Sequence, residues 1–478
     1  MLRRNILGSL AALPSMAYAF DLKKILDAGR SSYDVIVVGA GAAGLSAAVE
    51  AANTGASVLV LEKAPDIGGN TLISGGFYSS VDRKLQEPLG INDSEELFFE
   101  QTYEYGGSIA DKKLVEHLVK NAENSLQWLE SLGMHFQPRV FELYGAHWPR
   151  SHIPVLPLGQ GYIRTLSSAA LDRGVEIKTR CSVDELIVES GRIKGVAAAT
   201  DNGRKFYFCR KGVVLASGSF AANSQLVERF APKLAKLTTN NTPYSTGEAM
   251  MAANKIGADL VDMEFIQCLP GCPPGKKHRV RFHNDVSNFV LVNHEGKRFI
   301  NEDASRDDLR DAVLSLPQRY AFSIIDGQGF RKSGILVQKE AVIAREAGEA
   351  WNASSIEELA VKISVPPSNL VSTIQSYNDG VLKKQDSLGK KITPLTLCLK
   401  EPPFWACFAS MTIHYTEGGL RIDEKARCLD KAGKPIIGLY AAGAVTGGVH
   451  GRNRLGGNGL AEAIVFGRTA GKSAAERI

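Results

Sequence analysis

Short apolar runs broken by glycine clusters organise this chain. Asp34-Val35-Ile36-Val37-Val38 is a β-branched apolar run, the composition of a strand buried on both faces. It ends in Gly39-Ala-Gly41-Ala-Ala-Gly44, and the stretch from Leu45 to Ala52 is alanine-rich and helix-forming. Ser57-Val58-Leu59-Val60-Leu61 is a second buried strand, closed by Glu62. Strand, G-x-G-x-x-G, helix, strand and acid in that order predict a dinucleotide-binding βαβ unit. Its glycines permit the tight turn and let backbone approach a pyrophosphate, whose charge the helix N-terminus stabilises. Glu62 lies 18 positions beyond Gly44, where a carboxylate accepts ribose hydroxyls. A third apolar run, Val213-Val214-Leu215, leads to Gly218, and Gly438 to Gly443 precedes a helix predicted from Gly459 to Ala474. The second glycine cluster, Gly68-Gly69-Asn70-Thr71 and Ser74-Gly75-Gly76, suits a long cofactor that continues past the first loop, although glycines alone do not specify a flavin.

After the first twenty residues no apolar run reaches the ~18 residues that span a bilayer. A length of 478 residues favours two or three domains, and 44% hydrophobic with 22% charged residues excludes a disordered or fibrous chain. The 47 glycines follow no G-X-Y period and so mark tight backbone sites. The net charge of +5 falls to +3 without Arg3 and Arg4, and no basic block interleaves with aromatics, so no nucleic-acid partner is expected. Those two arginines, the apolar stretch Ile6 to Ala12 and Ala17-Tyr18-Ala19 before Phe20 read as a secretory signal over residues 1–19. The paired arginines fit the twin-arginine route to a bacterial periplasm; a Sec signal or an amphipathic helix would share these features. The seven cysteines show no disulfide framework and no C-x-x-C-H, which excludes a covalent c-type haem on this chain. Cys268 and Cys272 are expected as thiols without chemistry, and no metal site is expected.

The motifs G-A-G-A-A-G-L, Glu62-Lys63, Gly68-Gly69-Asn70-Thr71, Asn301-Glu302 with Arg306, and the C-terminal A-A-G-A-V-T-G-G-V-H-G-x-N-R-L-G-G-N resemble those of the fumarate reductase and succinate dehydrogenase flavoprotein family. The likeness is nearest to soluble periplasmic reductases of fumarate and of other acrylates such as urocanate, here without their haem domain. It implies an α/β fold, with a Rossmann-like FAD-binding domain at residues 33–263 and 411–478 interrupted by an α+β clamp at 264–410. It also implies noncovalent FAD held by Gly39, Gly41, Ala43, Gly44, Glu62, Lys63, Gly69, Asn70, Thr71, Gly75, Gly76, Val183, Gly218, Gly443, Asn458 and Leu460. Arg454 and His414 would bind a substrate carboxylate, with Gly419 close by, and Arg306 would donate the proton. A guanidinium fork suits a carboxylate, although Arg454 could instead serve FAD phosphate and His414 could be a core histidine.

The resemblance breaks upstream of Arg306. Counted without gaps from Asn293, the family's distal-carboxylate histidine falls at Leu269, its threonine and relay glutamate at Arg281 and Phe282, and its relay arginine at Asp285. Leu269 and Phe282 would line an apolar distal pocket for an alkyl or aryl acrylate, whereas Asp285 or His283 could bind a polar ring. The expectation is an exported FAD-dependent reductase of an α,β-unsaturated carboxylate other than fumarate, fed electrons by a separate protein such as a c-type cytochrome. The alternatives are the reverse reaction on a saturated acid or ketosteroid, a fumarate or urocanate reductase, and a flavin electron carrier.

Overall fold

The computed structural model describes residues 32–393 and 396–476; the expected export signal lies outside them. Strand β1 (Ser32–Val38), helix α1 (Ala42–Asn53) and strand β2 (Val58–Leu61) form the predicted βαβ unit. β1 sits at the centre of a parallel sheet, with β2 and Glu176–Lys178 on one side and Gly203–Leu215 and Pro435–Ala441 on the other. The register aligns the strand ends: Val38 pairs with both Leu61 and Leu215, and Leu215 pairs with Ala441. Gly39, Glu62, Ala216 and Ala442 therefore follow side by side at the carboxyl edge, where open α/β sheets bind ligands. The first half of Gly203–Leu215 pairs antiparallel with Arg192–Thr200, which pairs in turn with Cys181–Glu189, so this strand joins a meander to the parallel sheet.

A second, antiparallel sheet gathers Ile266–Gly271, Val290–Val292, Tyr320–Ile325, Ala350–Ala353 and Phe404–Thr416. It has its own core, in which Val290, Phe322, Leu359, Leu370 and Ala406 are packed together. The fold is thus the expected one, a Rossmann-like sheet interrupted by an α+β unit. Phe404–Thr416 is the long central strand of the second sheet: its first half pairs with Tyr320–Ile325, and its second half pairs with Ile266–Gly271 and carries His414.

The helix Asn458–Ala475 returns the C-terminus to α1. A Cβ at Gly467 would lie 2.5 Å from the Ala43 carbonyl oxygen, and one at Gly471 would lie 2.2 Å from that of Ala47. Only glycine permits this approach. The glycines of the βαβ turn differ in tolerance for the same reason. A Cβ at Gly44 would meet the Gly39 carbonyl oxygen at 1.9 Å, whereas one at Gly41 would lie 3.4 Å from Thr71 Oγ1. Gly44→Ala should therefore cost more than about 3 kcal/mol, and Gly41→Ala less than about 1 kcal/mol. Thermal melts of the two variants that shift equally would contradict this account.

Candidate active site

A cavity of about 310 Å³ runs along the carboxyl edge of the parallel sheet and ends against the second sheet. At its first end lie Gly39, Gly41, Ala43, Glu62, Lys63, Val183 and Gly218. Glu62 is buried and oriented by two backbone donors, Ala40 N and Ala64 N, each at 2.8 Å. Lys63 Nζ donates to Glu248 at 2.7 Å. Midway, Gly69, Asn70, Thr71, Gly75 and Gly76 form one wall. Thr71 Oγ1 accepts from Ala42 N at 3.0 Å, and Asn70 is fixed by Ser245 and Thr242 at 2.9 and 2.8 Å. Gly443 and Leu460 lead to the far end, where Leu269, Arg306, His414 and Arg454 meet.

Two elements deliver the arginines. Arg306 opens the helix Arg306–Ser315, whose N-cap Ser305 accepts from Asp308 N. Arg454 precedes the helix Asn458–Ala475. Both are buried, and both donate to one atom: Arg306 Nη1 reaches Gln267 Oε1 at 2.6 Å and Arg454 Nη2 reaches it at 3.0 Å. Gln267 is itself held by its amide nitrogen, which donates to Arg454 O at 2.9 Å and Asn453 Oδ1 at 3.2 Å. Arg306 Nη2 also donates to Tyr144 O at 2.8 Å, and Arg454 lies over the Tyr415 ring at 4.4 Å. No carboxylate pairs with either guanidinium among the described residues, and each Nε is buried without an acceptor. Burial, then the charge of Arg454, pulls the Arg306 guanidinium below its ordinary pKa.

His414 is held neutral by burial and by Arg454, Arg306 and Arg279, well below the usual histidine range. Asn240, with its amide nitrogen toward Ile413 O and His414 Nδ1, leaves its oxygen to accept from Arg279 Nη1 at 3.1 Å. With Nδ1 accepting from that amide nitrogen, the imidazole proton would sit on Nε2.

The FAD binding domain family matches residues 34–460. NADH:fumarate oxidoreductase of Klebsiella pneumoniae is 34% identical over 94% of this chain, which spans only 48% of that protein. The acrylate reductase flavoprotein subunit of Shewanella woodyi is 30% identical, over 98% of this chain and 97% of its own length. The open conformation of a flavocytochrome c3 fumarate reductase superposes with a TM-score of 0.77 at 34% identity, covering 96% of this chain and 80% of that one. The chain belongs to this FAD-binding family.

The residues fit FAD. Gly39 leaves no room for a side chain, since a Cβ there would lie 2.3 Å from Ala216 O, so bare backbone faces the cavity at the sheet edge. Neither α1 nor the helix Asn458–Ala475 has a side chain capping it from its N-cap glycine, Gly41 or Gly457, and both glycines line the cavity. Two helix starts without an N-cap side chain, one with Ala42 N held by Thr71 Oγ1, suit a pyrophosphate at one and a flavin carbonyl at the other.

Five expected residues lie elsewhere. Gly44 packs against Gly39 and supports the turn from behind. Asn458 donates to Thr102 Oγ1 at 3.2 Å, and Gly419 fills a backbone contact with Val445; neither lines the cavity. Phe282 and Asp285 face a neighbouring cavity of about 380 Å³ instead, because the chain turns through two short 3₁₀ segments at Phe282–Asn284 and Val286–Asn288. Asp285 caps the second of these, accepting from Ser287 N at 3.0 Å and Asn288 Nδ2 at 2.6 Å. Arg279, Arg281 and His283 take their place in the active cavity, so its distal end is cationic and not the expected apolar pocket. Cys268, Cys407 and Cys428 are buried free thiols, and Cys272 is a half-buried one.

Sequence reasoning missed Gln267, Asn240 and Glu417. Glu417 follows His414 by three positions, is buried, and has no partner for either carboxylate oxygen. Burial pushes its pKa up to about 8. Below about 4.5 both folded and unfolded states hold its proton; between 4.5 and about 8 only the folded state does, so stability falls as pH rises across that window. Glu417→Gln keeps the shape and removes the titration. Its melting temperature should match the parent's near pH 5 and exceed it by pH 8, by an amount on the order of a few kcal/mol in stability. A difference that is flat with pH would refute the assignment.

Proposed function

We propose that the protein reduces the carbon–carbon double bond of an α,β-unsaturated carboxylate. The observation that carries this reading is the convergence of Arg306 and Arg454 on the single neutral oxygen of Gln267, beside His414 and at the flavin end of the cavity. Two unpaired buried cations beside a neutral hydrogen-bonding imidazole form a carboxylate site. When bound and reduced by the electron donor, FAD would supply the hydride for the substrate β-carbon. Arg454 holds the carboxylate in its fork, His414 adds a neutral donor, and both stabilise negative charge as it grows toward the α-carbon. Arg306 gives that carbon its proton. Burial and the neighbouring cation weaken its hold on the proton, which suits an acid that must discharge at neutral pH. The two named relatives, a fumarate and an acrylate reductase, support the substrate class.

Leu269 in the wall where the family resemblance places a histidine makes fumarate a poorer substrate than a longer acrylate. Electrons come from a separate redox protein such as a c-type cytochrome, and residues 1–19 support export to the periplasm. The reading is tested by reducing the FAD-loaded protein anaerobically and following flavin absorbance as fumarate, methacrylate, cinnamate and urocanate are added. At least one of the longer acids should reoxidise it faster than fumarate. No reoxidation by any of them would sink the proposal.

The two arginines should fail differently. Arg306→Lys changes the reach of the proton donor, so reoxidation should slow by ~10²–10⁴ while substrate still binds. Arg454→Lys loses the bidentate fork, so binding should weaken along with the rate. Calorimetric titration and stopped-flow absorbance separate these outcomes. A near-parental rate in Arg306→Lys would remove it as the acid.

A further inference from the structure

The distal end of the active cavity carries a cation that the protein does not neutralise. Arg279 Nε donates to Pro270 O at 2.8 Å, Nη1 to the Asn240 oxygen at 3.1 Å, and Nη2 lies 3.4 Å from His283 Nε2. All three partners are neutral. The acid nearest in role, Glu340, is engaged by Arg281, and among the described residues no carboxylate forms an ion pair with Arg279. Burial and the charge of Arg281 push Arg279 down to about 10, which leaves it cationic at neutral pH. His283 is buried, and burial with the adjoining arginines keeps it neutral. Its Nε2 faces Arg279, which leaves the imidazole proton on Nδ1 as a second donor. A half-buried guanidinium without a counter-ion keeps its charge for a ligand anion, which would supply the missing partner.

The wall leading to this end is apolar, formed by Leu269, Leu143 and Phe77. Nor does the space stop there. Gly75, Phe77, Arg281 and Asn284 line both this cavity and the neighbouring one of about 380 Å³, so the two adjoin.

We propose that the substrate is an extended dianion, an acrylate whose β-substituent has an apolar body along Leu269 and ends in an oxyanion held by Arg279 and His283. The assignment of ends rests on the reductase reading, with the reacting carboxylate at Arg454; the anion subsite itself does not. Isothermal titration of oxidised, FAD-loaded protein with 4-carboxycinnamate, 4-methylcinnamate and fumarate tests it. The carboxy compound should bind at least about tenfold tighter than its methyl analogue, and tighter than fumarate. Arg279→Leu should bring the two cinnamates within about twofold, while Arg279→Lys keeps a preference for the dianion. Because the ratio is read within each variant, a misfolded fraction cancels, and Arg279→Gln gives the same comparison where the leucine variant does not fold. Equal affinities in the parent, a ratio unchanged in the Arg279→Leu or Arg279→Gln variant, or tightest binding of fumarate overturns the proposal. Anaerobic reoxidation by the same acids separates the two readings. A ratio that holds without any reoxidation removes the reductase and keeps the subsite; reoxidation without the ratio removes the subsite alone.

Discussion

The close contact between α1 and the helix Asn458–Ala475 is the constraint on which the site depends. Ala43 and Ala47 on one helix face Gly467 and Gly471 on the other, and a methyl group at either glycine would collide with backbone. The contact joins segments more than 400 residues apart in the chain. It sets the N-terminus of the second helix, with Arg454 just before it, beside the turn that carries Gly39 and Gly41. Sheet register supplies the other half of the alignment, since Val38, Leu61, Leu215 and Ala441 end level with one another. Packing and register together place a nucleotide end and a reaction end along one line.

Electrostatics then distinguish the two ends. At the nucleotide end the charged side chains have partners before any ligand arrives: Glu62 accepts two backbone bonds and Lys63 pairs with Glu248. The reaction end differs. Arg306, Arg454 and Arg279 meet only neutral acceptors, and Glu417, a buried acid close to the first two, is held largely protonated at neutral pH by the same burial. Fixed neutral dipoles such as Gln267 hold cations in place without quenching them, which leaves their charge for a substrate anion and for the transition state.

Legibility in the sequence followed locality. The βαβ unit is readable because it is a contiguous run whose residue types state their purpose, glycines at a turn and an acid after a strand, whereas the two arginine motifs are found through the family resemblance and the structure brings them into one cavity. Gln267 was invisible because a lone glutamine in an apolar strand acquires meaning only when two distant arginines converge on it. Arg279 was hidden differently. Ungapped counting carried the family pattern onto Arg281, Phe282 and Asp285, but this segment bends through two 3₁₀ turns, and a turn rotates successive side chains to different sides. Phe282 and Asp285 went outward; Arg279 and His283 went inward. Counting is reliable along strands and helices, where side-chain direction is periodic, and fails across irregular backbone.

The same irregular segment explains how one fold admits different acids. The residues proposed to perform the chemistry sit on regular elements: Arg306 on a helix start, His414 on a strand, Arg454 ahead of a helix braced by backbone contact. The residues that meet the far end of the substrate sit on the loop from Gly271 to Phe289, which is anchored by side-chain bonds such as Arg281 to Glu340 and Asp285 to Asn288 and not by a hydrogen-bonded ladder. Changes there alter which side chains turn inward without disturbing the sheet that aligns hydride, proton and carboxylate. Specificity can therefore drift while the reacting geometry stays fixed, because the two are carried by backbone of different stiffness.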